Sequence, residues 1–117
     1  MENFINLETE LKKNIDVLEN TFSKFGLEVV NVGAQYANMV GGKGIKFFCE
    51  IMSNADMPDD EHLHVKINVY DANGSLISMG EEKLNTKDFT GYDTLCIAVF
   101  LETIHYDATK ARIYLTR

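Results

Sequence analysis

The 117-residue chain has little that would cross-link it covalently or carry it into a membrane. Two cysteines are too few for a disulfide scaffold at this length, so in a reducing compartment Cys49 and Cys96 remain thiols, and both are read as core residues. No apolar run is long enough to span a bilayer, which excludes membrane insertion by a helix. The segment from Met1 to Asn20 also lacks the basic start and continuous apolar stretch of a secretory signal. With Met1 as the native start, a cytosolic location is expected. Basic residues are scarce too: 11 Lys and Arg stand against 18 Asp and Glu, for a formal charge of −7. That balance repels phosphate backbones and anionic lipid, so general nucleic-acid binding is excluded and a basic or neutral partner is favoured.

What is present is the composition of a globular protein, with 45% hydrophobic and 25% charged residues, in a chain sized for one domain with one core. Phe4, Leu7, Leu11, Ile15, Leu18, Phe22 and Phe25 recur at steps of three or four, the spacing that lines up one face of a helix. Glu8, Glu10, Lys12, Lys13, Asp16, Glu19 and Lys24 fill the opposite face, Asn3 or Asn6 can cap the start, and Gly26 suits a left-handed end. The spacing predicts a helix from about residue 4 to 25, and with it a division into a helical segment, residues 1–26, and a β-sandwich, residues 27–117. So long an apolar stripe needs a partner surface, because an isolated helix of this length is marginal in water.

After Gly26 the period changes to two. Ile45, Phe47, Cys49 and Ile51 alternate with Lys46, Phe48, Glu50 and Met52, and Leu63, Val65, Ile67 and Val69 alternate with His64, Lys66, Asn68 and Tyr70. Asp71-Ala72-Asn73-Gly74 then marks a hairpin before an extended run from Ser75 to Glu82. Leu95 to Leu101 is apolar at nearly every position and is read as a central strand covered on both sides. Ala111, Ile113 and Leu115 form a last alternating strand, and Leu27 to Val32 and Gln35 to Val40 supply one or two more. The only proline, Pro58, lies in an acidic loop. The fold class expected is mainly β: an antiparallel immunoglobulin/fibronectin-like β-sandwich preceded by one N-terminal amphipathic α-helix.

The stretch Ile67-Asn68-Val69-Tyr70-Asp71-Ala72-Asn73-Gly74 resembles the strand-turn signature of FxLYD-type immunoglobulin-like domains, with Ile67 in place of the signature Phe and Val69 in place of the Leu. The resemblance extends loosely to Phe89 and Tyr92 and gives the N-terminal helix no place. It implies a non-catalytic module of the kind found in bacterial envelope proteins, often attached after a lipoprotein leader, which is not seen here. An immunoglobulin reading also invites a bridge between Cys49 and Cys96. The absence of tryptophan to pack on it, and Tyr92 lying four residues before Cys96 rather than two, argue for free thiols.

Chemistry-bearing constellations are few. His62 and His64, two apart on a strand, project to one face and offer two metal ligands, with only Glu61 or His105 to complete a site. No carboxylate follows at the spacing that a His-x-His metal site uses. Asp56, Asp59, Asp60 and Glu61 crowd one loop but match no calcium-loop spacing. Gly41-Gly42-Lys43-Gly44 resembles a phosphate loop superficially; Ala37 and Gly44 stand where that motif needs Gly and Ser or Thr, and a strand follows instead of a helix. His105-Tyr106-Asp107 has no nucleophile motif to serve.

The reading expected is therefore a non-catalytic binding or assembly module acting through protein–protein contacts, by self-association as a homodimer through the helix face Phe4, Leu7, Leu11, Ile15, Leu18, Phe22 and Phe25 or with another protein. No enzyme activity, cofactor, metal, nucleic acid or membrane insertion is expected. The alternative is a small-molecule or metal site on the strand face bearing His62 and His64.

Overall fold

The computed structural model describes residues 9–40, 42–53, 63–84, 91–101 and 108–117. Among the described residues, after a helical turn at residues 9–13, seven strands and a short helix follow one another as β1 (Ile15–Val17), α1 (Glu19–Ser23), β2 (Leu27–Met39), β3 (Gly42–Ser53), β4 (Leu63–Tyr70), β5 (Leu76–Leu84), β6 (Tyr92–Leu101) and β7 (Lys110–Thr116). They form a four-stranded sheet in the order β1-β7-β4-β5 and a three-stranded sheet in the order β2-β3-β6. Counted from β2, the first, second and fifth strands make one sheet and the third, fourth and sixth the other, so the chain crosses between layers repeatedly. This is the β-sandwich that the alternating segments predict.

Alternation decides which side of each strand is dry. Ile45, Phe47, Cys49 and Ile51 of β3, Leu63, Val65, Ile67 and Val69 of β4, and Ala111 and Ile113 of β7 are all fully buried in one cluster. At ~25 cal/mol per Å² of apolar surface removed from water, this shared interior is the main stabilising contribution. Ser78 Oγ of β5 donates to the Phe100 carbonyl of β6 at 2.6 Å, joining the edges of the two sheets. Gly80 allows that approach, since a Cβ there would lie 2.7 Å from Val99 Cγ2 and 3.2 Å from the Ala98 carbonyl.

The hairpin read at Asp71-Ala72-Asn73-Gly74 joins β4 to β5. Asp71 Oδ1 accepts from the Asn73 and Ser75 amides at 2.9 and 3.0 Å, and Gly74 takes a φ of 82°, the side-chain turn chemistry that the four residues encode. Leu27 to Met39, read as one strand or two, is one continuous strand paired with β3, with an extra residue at Val30 where the register shifts.

Two expectations are corrected. The first is the single helix over residues 4–25: the chain is helical at residues 9–13, extended through β1, and helical again in α1. Asn14 ends the first helical turn, its Nδ2 donating to the Glu10 carbonyl at 2.9 Å and to Glu10 Oε1 at 3.1 Å. β-Branched Ile15 and Val17 then pair in parallel with Ala111 and Ile113. Asn14 O accepts from the Ala111 amide at 3.1 Å and the Leu18 amide donates to Ile113 O at 2.9 Å. A continuous helix would forfeit these bonds to the β7 backbone. Gly26 keeps its expected left-handed role, with φ 74°.

The second correction concerns β6, which is covered on one side only: it pairs with β3 alone in its sheet, and Leu95, Ile97, Val99 and Leu101 are buried while Tyr92, Thr94, Cys96, Ala98 and Phe100 are exposed. Cys96 is therefore a surface thiol, not a core one.

α1 is tied down by Thr21, whose Oγ1 donates to the Leu18 carbonyl at 2.6 Å and accepts from the Leu115 amide at 3.0 Å. Its Phe22 is 1% exposed within the core. Replacing Phe22 with Ala is expected to lower the unfolding free energy by about 3–5 kcal/mol, read by urea titration; a change below about 1 kcal/mol would place α1 outside the core.

Candidate binding face

The N-terminal apolar positions are not gathered into one free stripe. Leu11 and Phe22 are buried in the chain's own core, Ile15 and Phe25 pack partly buried against it, and Leu18 is the exposed member at 37%. Phe4 and Leu7 lie outside the described residues. The turn into β1 distributes these side chains over the open end of the sandwich, where the helical periodicity had placed them on one face.

The outer surface of the four-stranded sheet is largely polar, with Leu76 and Met79 of β5 also exposed, and it carries two ion pairs between neighbouring strands. Asp16 Oδ2 lies 3.5 Å from Arg112 Nε across the β1-β7 pair, and His64 Nδ1 lies 3.5 Å from Glu81 Oε2 across β4-β5. The Arg112 guanidinium sits 5.7 Å from the centre of the Tyr70 ring, and Asn68 Nδ2 donates to Tyr70 Oη at 3.4 Å. Such half-exposed pairs contribute roughly 0–1 kcal/mol each and describe a solvated face. His64 is thus engaged with a carboxylate of the next strand. His62, Glu61, His105, Tyr106 and Asp107, and the acidic loop carrying Asp56, Asp59 and Asp60, lie outside the described residues. Among the described residues no three His, Cys, Asp or Glu side chains gather as metal ligands would. A hollow beside α1 is lined by Glu19, Phe22, Ser23, Leu27, Glu28 and Val29, with no Lys, Arg or His among these residues to pair with its two carboxylates.

The outer surface of the three-stranded sheet is different in kind. Strand register builds it in rows: Phe48 stands between Gly33 and Cys96, Lys46 between Gln35 and Ala98, Glu50 between Asn31 and Thr94, and Met52 beside Tyr92. Phe48, Met52, Tyr92 and Phe100 are 37%, 41%, 49% and 51% exposed, and Cys96 and Ala98 are exposed between them. These large apolar side chains stand on one face with Lys46, Glu50 and Thr94 among them, an exposed mixture of the kind found on contact surfaces. Sequence reasoning missed it because Leu95 to Leu101 is apolar at both parities. Such a run signals burial on both faces unless the strand's second face is known to lack a covering layer.

The two thiols report the two sides of this sheet. Cys49 pairs with Leu95 and points inward, whereas Cys96 pairs with Phe48 and points outward, so neighbouring strands hold them on opposite faces and no bridge forms. Burial pushes the Cys49 thiol up from 9.0 to about 11. Titration of the folded protein with a thiol reagent is expected to label one equivalent promptly, at Cys96, and the second only after denaturation; prompt labelling of both would contradict the inward orientation of Cys49.

The raised Cys49 value also has a stability consequence. Between pH 9 and 11 the unfolded chain releases a proton that the folded chain keeps, so stability fully present at lower pH is lost as pH rises through this window, by roughly 1.4 kcal/mol per unit. Denaturant titrations across this window are expected to show a steeper loss for the native chain than for Cys49→Val, and parallel curves would refute it.

Scans against protein-family models, curated proteins and solved structures returned no match to this chain.

Proposed function

We propose that the chain is a non-catalytic binding module that engages protein through the outer face of its three-stranded sheet. The exposed side chains of this face carry the reading: Phe48, Met52, Tyr92 and Phe100 stand out to solvent on one sheet, three of them aromatic, while the other outer face holds the pairs Asp16–Arg112 and His64–Glu81. Aromatic and Met side chains are enriched at protein contact surfaces, where they bury large area at small cost in side-chain freedom. Hydrogen-bonded strands on a packed core hold the patch rigid, which suits a preformed surface. The net charge of −7 supports a protein partner over nucleic acid or an anionic membrane.

The test compares three immobilised chains for retention of protein from lysate: the native one, Phe48→Ser/Phe100→Ser, and Lys66→Glu on the opposite sheet. All three are expected to fold, because the substituted side chains stand on outer faces. Protein held by the native chain and by Lys66→Glu is expected to be lost from the double Ser variant. Equal retention by all three would refute the reading.

A further inference from the structure

We infer that the occupant of this face is a second copy of the same chain, stacked face to face about a two-fold axis that crosses the middle strand at Phe48. The inference rests on the reading of the sheet face as a protein-binding surface and names its partner.

Charge placement carries it. Lys46 and Glu50 are the charged side chains on the outer side of β3, one on each side of Phe48, and neither makes an ion pair with another described residue. At about 3.3 Å per residue they stand ~7 Å on either side of the Phe48 row. A two-fold axis lying in the interface, perpendicular to the strands, reverses the direction of β3 in the second copy. Lys46 then faces Glu50 of the other copy, and the symmetry makes the same pair twice. The alternative axis, along the strand, sets Lys46 on Lys46 and Glu50 on Glu50, which like-charge repulsion disfavours. The face is thus self-complementary in one orientation.

The apolar rows agree with that orientation. Reversal about Phe48 keeps β6 over β6, because Cys96 is the register partner of Phe48. Tyr92 and Phe100, four residues before and four after Cys96, then fall opposite one another, so aromatic faces aromatic at both ends of the patch. Gly33, the other partner of Phe48, has open space above it, with nothing within 4 Å of where a Cβ would stand, which gives the two opposed Phe48 rings room to lean aside. Three strands at about 4.8 Å spacing by ten residues at about 3.3 Å give a face of roughly 14 by 33 Å, at the small end of specific interfaces. The dimer is accordingly weak, forming in the micromolar range or above.

Sedimentation velocity of the full chain, from micromolar to sub-millimolar concentration, tests this directly. The native chain is expected to shift from monomer to dimer. Lys46→Glu and Glu50→Lys are each expected to weaken association by roughly tenfold or more, since each places two like-charge contacts across the axis. An equimolar mixture of the two variants, and the double exchange Lys46→Glu/Glu50→Lys, are each expected to regain it. On the native chain, a short bis-maleimide is expected to link Cys96 to Cys96 of the second copy. Opposed sheets stand about 10 Å apart, too far for a direct disulfide and within reach of such a linker.

A native chain that stays monomeric throughout, single variants that associate like the native chain, or a mixture that fails to recover would overturn the inference. Lysate retention that depends on Phe48 and Phe100, combined with a strictly monomeric chain, overturns the second copy alone and leaves the binding-module reading in place. Loss of both results removes both.

Discussion

The structure depends on the mutual burial of alternate side chains from two middle strands, β3 and β4. Ile45, Phe47, Cys49 and Ile51 on one, and Leu63, Val65, Ile67 and Val69 on the other, are removed from water together. Because side chains alternate with a strict period of two, a one-residue slip in either strand would exchange its whole dry set for its wet one. The cost of that exchange, Lys46 and Glu50 driven inward and Phe47 and Ile51 outward, fixes the register more firmly than any single hydrogen bond. Once the register is fixed, the identity of the outward residues is fixed too. Phe48 and Cys96 are on the surface because Phe47 and Cys49 must be inside.

This coupling explains how much was legible beforehand. The strands around Ile67 and Ile113 were readable because polar or half-polar residues at every second position state which side meets solvent, and around Phe47 Lys46 and Glu50 do the same. The β4-β5 turn was readable because Asp71 and Gly74 carry their geometry in their own side-chain chemistry. The N-terminal stripe misled because a step of three or four residues also fits two short helical pieces around a strand. What decides between these is the open edge of β7, a hundred residues away. β6 misled for the converse reason: its composition cannot say whether a second layer covers it. In the candidate face the middle strand's outer residues were visible as the alternates of a core strand, whereas the exposure of Cys96 and Phe100 follows only from the sheet order.

The two sheets divide labour. On the four-stranded sheet Asp16 pairs with Arg112 and His64 with Glu81 across adjacent strands, and Arg112 also lies over the Tyr70 ring. On the three-stranded sheet large apolar side chains stand among Lys46 and Glu50, which make no ion pair with another described residue. Ser78 links the edges of the two sheets through the Phe100 carbonyl, so one end of the apolar patch is tethered by the other sheet.

The parallel pairing of β1 with β7 sets the order in which the molecule can be completed during synthesis. Residues 15–17 are synthesised well before the residues 111–113 they pair with. β1 has no strand to join until β7 has emerged, so the four-stranded sheet is completed only after every strand between them has been made. Closing so long a loop is entropically slow. Ile15 and Val17 therefore stay unpaired while β2 to β6 are being made, and β7 acts as the latch.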